Sequence, residues 1–520
     1  MPPLDHRIGV DVGGTNTDAV VLDRDDTLVA KAKVPTSPEV ADGIGRAIGV
    51  ALGESGIDRS RVTHLMLGTT HATNAVLERR NLQRVAVIRI GSPATHAVRP
   101  LFGWPADLRQ AVSVGEAIVG GGIELDGREL APFDHDGVAR FLARVGERAE
   151  GVAIASVFAP VLPDHELMAE EVVRKELGDV PVSLSHRVGS IGLLERENAT
   201  VLNAALGRVA RDVIAALERS LSAHGLNPVT YFAQNDGTLM ALDYALQYPV
   251  FTIGSGPANS IRGAAFLAGV DDALVVDVGG TSTDVGVVAN GFPRESSQGV
   301  EIGGIRTNFR MPDLITLALG GGTVVAAGPD GRVQVGPQSV GYRLQEEALV
   351  FGGRTPTLTD AAVAGGRVRL GSKPLPENRR RVLTEALQRV DFMLADAVDR
   401  IKTSKGDRPL IAVGGGSVLI PEQIPGVSAI TRPHDFDVAN AIGAAIASVS
   451  GQVDRIFHLG AGGREAALRE ACEDATERAV AAGAELDTVS VVEMEEVPLA
   501  YLTTQAVRIR VKAAGSLGGL

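Results

Sequence analysis

Apolar and polar positions follow the same order at two distant places in the chain. Residues 8–22 read IGVDVGGTNTDAVVL and residues 274–288 read LVVDVGGTSTDVGVV. In both stretches an apolar, β-branched run meets a Gly-Gly-Thr turn and a second apolar run follows, which is typical of a buried hairpin. The two copies share Asp-Val-Gly-Gly-Thr-x-Thr-Asp at an offset of 266 residues, from 8 to 274. One short repeat at this distance predicts two similarly built domains rather than a solenoid.

Further apolar runs predict strands and helices that alternate between and after the hairpins. Short runs predict strands over Val62–Leu67, Val85–Ile90, Val152–Val157, Val250–Ile253 and Leu410–Val413. Apolar positions at helical spacing predict helices that begin near His71, cover residues 195–224, and run from the turn at 254–257 to Leu267. Strands that alternate with helices predict an α/β protein.

The later part of the chain departs from this alternation. Residues 302–360 are rich in glycine and short apolar pieces, so they are predicted to be irregular or β. Residues 464–483 predict a charged helix, and residues 487–511 predict two strands. We therefore expect an N-terminal domain over 1–188 with the first hairpin, a second domain over 189–455 with the second hairpin, and a small α+β appendage over 456–520.

Composition narrows the class of protein. A chain of 520 residues exceeds one ordinary core, and 45% hydrophobic with 22% charged residues is typical of a soluble globular protein. The formal net charge of −13 leaves no basic stripe, so no nucleic-acid partner is expected. No apolar run approaches the roughly 20 residues that span a bilayer, and the first five residues lack a signal pattern. We expect a cytoplasmic protein that does not bind membranes.

Cysteine and histidine offer no metal site. Cys472 is the single cysteine, which excludes an internal disulfide and a cysteine zinc cluster, and we expect it to be an ordinary helix residue. The ten histidines show no His-Glu-x-x-His or comparable spacing, so no zinc site is predicted. Trp104 is predicted to be a packing anchor.

The turn of each hairpin carries candidate phosphate-binding chemistry. Gly13 and Gly14 allow backbone amides to approach a phosphate without a Cβ in the way, and the hydroxyls of Thr15 and Thr17 add donors. Asp11, at the strand end, is placed to hold Mg²⁺, which prefers carboxylates beside phosphates. Two such loops facing each other would clamp a polyphosphate. A plain hairpin turn explains one copy about as well, but two near-identical copies favour the clamp.

The predicted nucleotide-binding residues form three loops, with Asp11 and Asp277 as the predicted metal ligands. The first loop is Gly13, Gly14, Thr15, Asn16 and Thr17; the second is Gly279, Gly280, Thr281, Ser282 and Thr283; the third is Gly414, Gly415, Gly416 and Ser417. The third loop follows an apolar strand, where bare backbone lets an adenine ring lie against it. The chain shows neither a P-loop nor a well-placed Gly-x-Gly-x-x-Gly.

Other polar residues are candidates for substrate contact. His71 and Asn74 follow the turn at 68–70 and are predicted at a helix N-terminus, where a carbonyl or an anion is favoured, although capping and packing also explain them. Asn308, Arg310 and Asp313 form a polar cluster that a surface loop explains nearly as well. Glu195, Arg196 and Glu197 are predicted to be a solvated helix face. The predicted catalytic residues are Asp11, Asp277, Asp284, His71 and Asp313; the general base stays open among Asp18, Asp284, His71 and Asp313.

These motifs resemble known families. The two Asp-Gly-Gly-Thr loops and the late Gly-Gly-Gly-Ser resemble the phosphate-1, phosphate-2 and adenosine motifs of the actin, hexokinase and Hsp70 superfamily. More closely, the chain resembles the hydantoinase A/oxoprolinase family, through the segments GTTHATNA at 68–75, LERENAT at 194–200, GSGPA at 254–258 and DVGGTSTD at 277–284. The resemblance implies an α/β fold of two actin-like (ribonuclease H-like) ATPase domains around a nucleotide cleft.

The same resemblance implies a function. Members of the family open cyclic amides such as hydantoins and 5-oxoproline with ATP and Mg²⁺, and related members are ketone carboxylases that work beside a second subunit. At 520 residues this chain is expected to lack the large C-terminal region of the longer members. We expect an ATP-dependent cyclic-amide hydrolase, or its ATP-binding subunit, that assembles with itself or with a partner. A small-metabolite kinase, a carboxylase subunit and a regulatory ATP-binding module are the alternatives.

Overall fold

The structure is a computed structural model that describes residues 5–37, 40–296, 299–309, 311–328, 332–459, 463–499 and 505–517. Its strands in chain order are β1 (His6–Val12), β2 (Asn16–Leu22), β3 (Leu28–Pro35), β4 (Val62–Thr69), β5 (Val85–Ser92), β6 (Ser113–Gly120), β7 (Gly151–Ser156), β8 (Val182–Leu184), β9 (Val229–Ala233), β10 (Leu239–Ala241), β11 (Ala273–Val278), β12 (Thr283–Ala289), β13 (Phe292–Pro293), β14 (Glu301–Ile302), β15 (Ile305–Arg306), β16 (Leu314–Leu317), β17 (Thr323–Ala327), β18 (Val333–Ser339), β19 (Arg408–Val413), β20 (Val427–Thr431), β21 (Val449–His458), β22 (Ser490–Leu499) and β23 (Ala506–Gly515).

The helices alternate with these strands over most of the chain. They are α1 (Val40–Ser55), α2 (His71–Glu78), α3 (Ala106–Val112), α4 (His135–Val145), α5 (Asp164–Leu177), α6 (Ser185–Val188), α7 (Leu193–Ala223), α8 (Leu242–Gln247), α9 (Ser255–Ala268), α10 (Leu344–Glu347), α11 (Leu358–Ala364), α12 (Glu377–Ile401), α13 (Ala439–Ala445) and α14 (Gly463–Ala481). The predicted α/β class is confirmed. No helix in the described ranges is long and apolar enough to cross a membrane.

Both predicted hairpins are present, and they belong to two separate sheets. The first hairpin, β1–β2, is antiparallel; β3 pairs with β2 and β4 runs parallel to β1. The second hairpin, β11–β12, is antiparallel; β16 pairs with β12 and β19 runs parallel to β11. The strands are buried because their apolar runs lie between helix layers. The repeat in the sequence is therefore a repeat of the local fold.

The first hairpin belongs to a nine-stranded sheet that collects strands from the whole chain. Its order is β22-β23-β21-β10-β9-β4-β1-β2-β3. The predicted helix and two strands of the C-terminal segment are present, and β22 and β23 extend this sheet through β21. The segments 1–188, 189–455 and 456–520 all contribute strands to it. Strand pairing over such distances leaves no local signal, so contiguous boundaries do not coincide with the sheets.

Two further regions complete the architecture. A four-stranded parallel sheet, in the order β6-β5-β7-β8, is covered by α4 and α5 and has its own apolar core. The second hairpin lies in a six-stranded sheet, β13-β12-β11-β19-β20 with β16 beside β12, which packs on α12. The long helix α7 contacts α1, α2 and β7, and it confirms the helix predicted over 195–224. The described residues within 302–360 form short strands and helical turns, where irregular or β structure was predicted.

Two local predictions were wrong. The run Val250–Ile253 is not a strand but lies in a 3-10 turn over Pro249–Thr252, because Pro249 lacks the N–H that a sheet ladder requires. Arg196 and Glu197 are not on a solvated face; each is 1% exposed. Glu197 is buried because Arg89, 108 residues away, donates two hydrogen bonds of 2.6 and 2.7 Å to it. Arg196 is buried because the Ser185 hydroxyl and the Ser156 and Ser190 carbonyls accept its hydrogen bonds.

Helices α9 and α13 cross between the two sheets at very short range. A Cβ at Gly263 would lie 1.8 Å from the Ala439 carbonyl oxygen, and a Cβ at Gly443 would lie 1.8 Å from the Asn259 carbonyl oxygen. Only glycine permits this approach. Helix α13 also packs on β1, where a Cβ at Gly9 would lie 2.2 Å from the Ala441 carbonyl oxygen. The helix pair therefore brings the two hairpins close together.

Candidate functional site

The turns of the two hairpins face each other. Each turn closes on the same backbone hydrogen bond, from Gly13 N to Asn16 O at 3.0 Å and from Gly279 N to Ser282 O at 2.9 Å. A Cβ at Gly280 would lie 3.1 Å from Thr15 Oγ1, so the second turn lies against the first. The structure thus brings together the two loops that the sequence repeat singled out.

Asp11 ends the first strand as a buried carboxylate. It is 3% exposed, and Asn440 Nδ2 of α13 donates a hydrogen bond of 2.9 Å to its Oδ2. Its Oδ1 has no hydrogen-bond partner among the described residues. A Cβ at Gly68, the residue beside it on β4, would lie 2.3 Å from that oxygen. Burial, followed by the nearby charges of Asp18 and Asp277, raises the pKa of Asp11 to about 6.

Asp277 occupies the equivalent position in the second hairpin. Ser260 Oγ of α9 donates a hydrogen bond of 2.6 Å to its Oδ2. A Cβ at Gly414 would lie 2.2 Å from its Oδ1, and Gly414 has φ +83°, a conformation that glycine adopts without strain. Burial raises the pKa of Asp277. Glycine thus leaves room beside both carboxylates, and each receives one hydrogen bond from the helix pair.

The helix residues around these carboxylates were not predicted. Asn259, on α9, is fully buried, and neither atom of its side-chain amide makes a hydrogen bond of good geometry within the described ranges. The amide is still near enough to Asp11 to oppose the rise in the pKa of that carboxyl. Together with Ser260 and Asn440, it places polar groups on the two helices that pack beside the carboxylates. The signal in the sequence was the isolated polar pair in GPANS and the lone asparagine in VANAIGAA. Polar groups without partners in such a place fit a polar ligand.

The threonines of the two turns divide into two kinds. Thr15 and Thr281 are partly or fully exposed at the turns. Thr17 and Thr283 are buried: Thr283 Oγ1 donates a 2.7 Å hydrogen bond to the Leu319 carbonyl, and Thr17 Oγ1 lies 3.4 Å from the hydroxyl of Thr36. The first threonine of each loop is therefore accessible at the turn, and the second supports the loop from inside.

The strands that pair with the two hairpins, β3 and β16, carry different side chains at equivalent positions. Lys33 of β3 lies opposite Asp18, and its Nζ donates hydrogen bonds of 2.7 and 2.8 Å to both carboxylate oxygens. Thr316 of β16 lies opposite Asp284 and donates one hydrogen bond of 2.6 Å. Burial raises the pKa of Asp284 to about 6, whereas Lys33 opposes the burial that raises the pKa of Asp18. Sequence reasoning missed Lys33, which carries no motif.

The glycine loop after β19 lies against the second hairpin. Gly416 N donates a 2.7 Å hydrogen bond to the Val278 carbonyl, and Gly414 N donates one of 2.9 Å to the Phe436 carbonyl. A Cβ at Gly415 would have no neighbour within 4 Å, so the middle of the loop is open. The predicted strand and turn are present, but only a 3-10 turn over Ser417–Leu419 follows them, and the Ser417 side chain is buried.

His71 stands beside the first turn. Because β4 is parallel to β1, both strands end at the same edge, and Thr70 N donates a 3.2 Å hydrogen bond to the Val12 carbonyl. His71 Nδ1 lies 2.6 Å from Thr69 Oγ1, and burial lowers the pKa of His71. Asn74 Nδ2 lies 3.4 Å from the hydroxyl of Thr70. The ring of His71 also borders a cavity of about 20 Å³ that α7 and β9 line with apolar side chains.

Asp313 lies apart from this group. It forms an ion pair of 2.6 Å with Arg294, and its backbone N donates a 2.7 Å hydrogen bond to the carbonyl of the same arginine. It precedes Leu314, which pairs with Gly286, whereas the loop end of β12 pairs with the other end of β16. At ~3.3 Å per strand residue, Asp313 is on the order of 10 Å from the second turn.

The remaining candidates support the fold. Asn308 Nδ2 donates a 2.9 Å hydrogen bond to the Ser190 carbonyl, in the loop before α7, and Arg310 lies outside the described residues. Trp104 is buried, and its Nε1 donates a 2.7 Å hydrogen bond to Asn198 Oδ1, as a packing anchor does. Cys472 lies within helix α14.

Comparison with known proteins identifies the family. Two sequence profiles match: the hydantoinase/oxoprolinase N-terminal region over residues 7–177, and hydantoinase/oxoprolinase over residues 196–399. The chain therefore belongs to the hydantoinase/oxoprolinase family. Among its relatives, caprolactamase subunit alpha of Pseudomonas jessenii is 27% identical, over 80% of this chain and 66% of the relative. Acetophenone carboxylase gamma subunit of Aromatoleum aromaticum is 29% identical, over 70% of this chain and 53% of the relative.

A third relative and two solved structures complete the comparison. The 5-oxoprolinase of Saccharomyces cerevisiae is 28% identical, over 70% of this chain and 32% of the relative. The alignment thus spans less than two thirds of the length of these three relatives. The ATP-dependent caprolactamase from Pseudomonas jessenii has a TM-score of 0.76 at 21% identity, over 98% of this chain and 87% of that one. Nucleotide-free acetone carboxylase has a TM-score of 0.70 at 17% identity, over 99% of this chain and 88% of that one. Both share the fold.

Proposed function

We propose that this chain is an ATP-dependent hydrolase, or the ATP-binding subunit of one, that opens a cyclic amide such as a hydantoin, a lactam or 5-oxoproline. The observation that carries the proposal is the pair of Asp-Gly-Gly-Thr turns that face each other, each with a carboxylate, Asp11 or Asp277, at the end of its first strand. Relatives named caprolactamase and 5-oxoprolinase support the cyclic amide as the substrate class. An amide resists hydrolysis, so phosphorylation of its carbonyl oxygen by ATP would create a better leaving group.

The residues present fit a magnesium–nucleotide complex. Asp11 and Asp277 would hold Mg²⁺, which is commonly bound through one or two carboxylates together with substrate phosphates. The orphaned Oδ1 of Asp11 and the unpartnered amide of Asn259 fit this role. No group of three or more His, Cys, Asp or Glu side chains in the described ranges is arranged to hold a metal. A site that relies on two carboxylates and on phosphate oxygens is consistent with that.

Other groups of the chain bind the nucleotide, accept a proton and orient the acceptor. Backbone amides of the two turns bind and orient the phosphates, and the open loop at Gly415 receives the adenine ring. Asp284 is the better proton acceptor of the two second-strand carboxylates, because Lys33 occupies both oxygens of Asp18 whereas Thr316 occupies one oxygen of Asp284. His71, held by Thr69 beside the first turn, orients the acceptor through its other ring nitrogen.

A carboxylase subunit is the second candidate. Relatives named acetophenone carboxylase gamma subunit and acetone carboxylase beta subunit support it, since each name is that of one subunit of a larger enzyme. The same cleft would serve a metabolite kinase, which releases a phosphorylated product, or a regulatory module, which turns ATP over slowly. A second hydantoinase/oxoprolinase-type subunit is the expected partner for the first two candidates.

Product analysis separates these functions. The purified chain is incubated with Mg·ATP and a panel of hydantoins, lactams and 5-oxoproline, and in parallel with ketones and bicarbonate. Phosphate release together with a ring-opened product supports the hydrolase. A carboxylated product supports the carboxylase, and a stable phosphorylated product supports the kinase. ATP turnover that no compound stimulates, even with a co-purifying subunit added, would contradict the enzyme proposal.

A further inference from the structure

Lys33 links the first hairpin to the second half of the molecule. Its Nζ donates hydrogen bonds to both oxygens of Asp18 and a third, of 2.9 Å, to the backbone carbonyl of Asp437. The Lys33 side chain is 33% exposed, whereas that of Asp18 is 3% exposed. The ammonium group therefore lies at the border between the buried carboxylate and solvent.

The segment that Lys33 contacts also reaches the other parts of the site. The Phe436 carbonyl accepts the 2.9 Å hydrogen bond from Gly414 N, in the open glycine loop. Asn440, four residues further on, donates the 2.9 Å hydrogen bond to Asp11 Oδ2. Residues 436–440 thus connect the glycine loop, Asp11 and, through Lys33, Asp18.

Three carboxylates lie near one another beside the two turns. Asp11, Asp18 and Asp277 are close enough to influence one another's ionisation, and a triphosphate would add further negative charge. The second hairpin supplies only the hydroxyl of Thr316 at the position equivalent to Lys33. Lys33 is thus a charge that the sequence repeat does not duplicate.

We propose that Lys33 is a positioning residue of the nucleotide site, which fixes the Asp18 carboxylate and offsets its charge beside the bound triphosphate. Its role is exerted through Asp18, so it does not require contact with the nucleotide. This inference rests on the proposed function, because it requires a nucleotide between the two turns.

Lys31 is a matched control on the same strand. Its Nζ lies 2.8 Å from Asp437 Oδ1 and 3.0 Å from Asp435 Oδ1, and its side chain is 39% exposed. It therefore contacts the same segment as Lys33, with similar exposure. No contact with Asp18 is among its hydrogen bonds and ion pairs in the described residues.

The test is calorimetric titration of the full chain with Mg²⁺ and a non-hydrolysable ATP analogue. Lys33→Met is expected to weaken binding by about tenfold, because it leaves a buried carboxylate without its partner. Lys33→Arg is expected to restore most of the affinity, and Lys31→Met to stay within about twofold of wild type, as exposed ion pairs contribute little. In an Asp18→Asn background, Lys33→Met is expected to change binding by less than about twofold, since the two residues act as one unit.

The outcomes distinguish the inference from the proposed function. Wild-type protein that binds no analogue overturns the nucleotide site and this inference with it. Wild-type binding combined with equal losses in Lys33→Met and Lys31→Met overturns only the inference, because the lysines would then merely hold the 435–437 segment. If Lys33→Met still weakens analogue binding by about tenfold in the Asp18→Asn background, the inference is overturned as well.

Discussion

Asp11→Asn is expected to stabilise the unliganded protein and to remove its response to Mg·ATP. A rise in the pKa of Asp11 from 3.8 to about 6 means that the charged carboxylate destabilises the folded state by ~3 kcal/mol at pH 8. Asparagine has the same shape, carries no charge, and its carbonyl oxygen still accepts the hydrogen bond from Asn440. If all 520 residues unfold together at about 2.1 cal/mol/K each, ~3 kcal/mol raises Tm by ~3 °C.

The size of this stabilisation depends on pH. A carboxyl group with a raised pKa is protonated in both states below its unfolded value of 3.8, so there the aspartate has no cost relative to asparagine. The cost grows as pH rises from 3.8 to about 6 and is constant above that. The Tm advantage of Asp11→Asn is therefore expected at pH 8 and absent near pH 4.

The assay is thermal unfolding at both pH values with and without Mg·ATP. At pH 8 a ligand at ~100 times its Kd stabilises wild type by ~2.7 kcal/mol, and the variant is expected to gain far less because the proposed metal ligand is lost. Asp399→Asn, at an exposed carboxylate on α12, is the control and is expected to behave as wild type. A variant that melts below wild type without ligand, or that keeps the full nucleotide response, would refute the reasoning.

Four further outcomes are expected. Mg·ATP affinity measured by calorimetry should fall as pH drops below about 6, because protonation removes the charge of Asp11; equal affinity at pH 5 and pH 8 would contradict this. Gly443→Ala should lower the free energy of unfolding in urea by about 1–3 kcal/mol, since its Cβ would lie 1.8 Å from a carbonyl oxygen, whereas Gly406→Ala, with open space around it, should not. Glu197→Gln should cost ~3–5 kcal/mol in the same assay by leaving Arg89 unpaired, and Glu218→Gln, exposed on the same helix, should be within ~0.5 kcal/mol of wild type. Asp313→Asn should keep ATP turnover within about twofold of wild type; a loss above about tenfold would show that it acts in the site.

The parts of the site that the sequence predicted are those whose chemistry is local. Asp, Gly, Gly and Thr stand next to one another in each hairpin, so the turn, the strands and the carboxylate can be inferred together from eight residues. The same holds for α7, whose 31 residues repeat a helical spacing without a break. The family resemblance was carried by the same kind of short, contiguous segment, and the profile matches confirm it.

The parts that could not be predicted depend on contacts across long stretches of chain. Asn440 reaches Asp11 over 429 residues, and Lys33 reaches the Asp437 carbonyl over 404. Neither residue has a motif. The packing of α13 on β1 brings Asn440 to Asp11, and the pairing of β3 with β2 places Lys33 opposite Asp18. Glu197 was misjudged for the same reason, because its buried partner Arg89 is 108 residues away. The C-terminal strands form as predicted, but nothing local indicates which sheet edge they join.

The most direct test of the central claim is a crystal structure with Mg²⁺ and a non-hydrolysable ATP analogue. The account predicts phosphates held between the turn at Gly13–Thr15 and the turn at Gly279–Thr281, with the metal beside Asp11 and Asp277 and the adenine against Gly415. An analogue bound to one hairpin alone, or away from both, would contradict it.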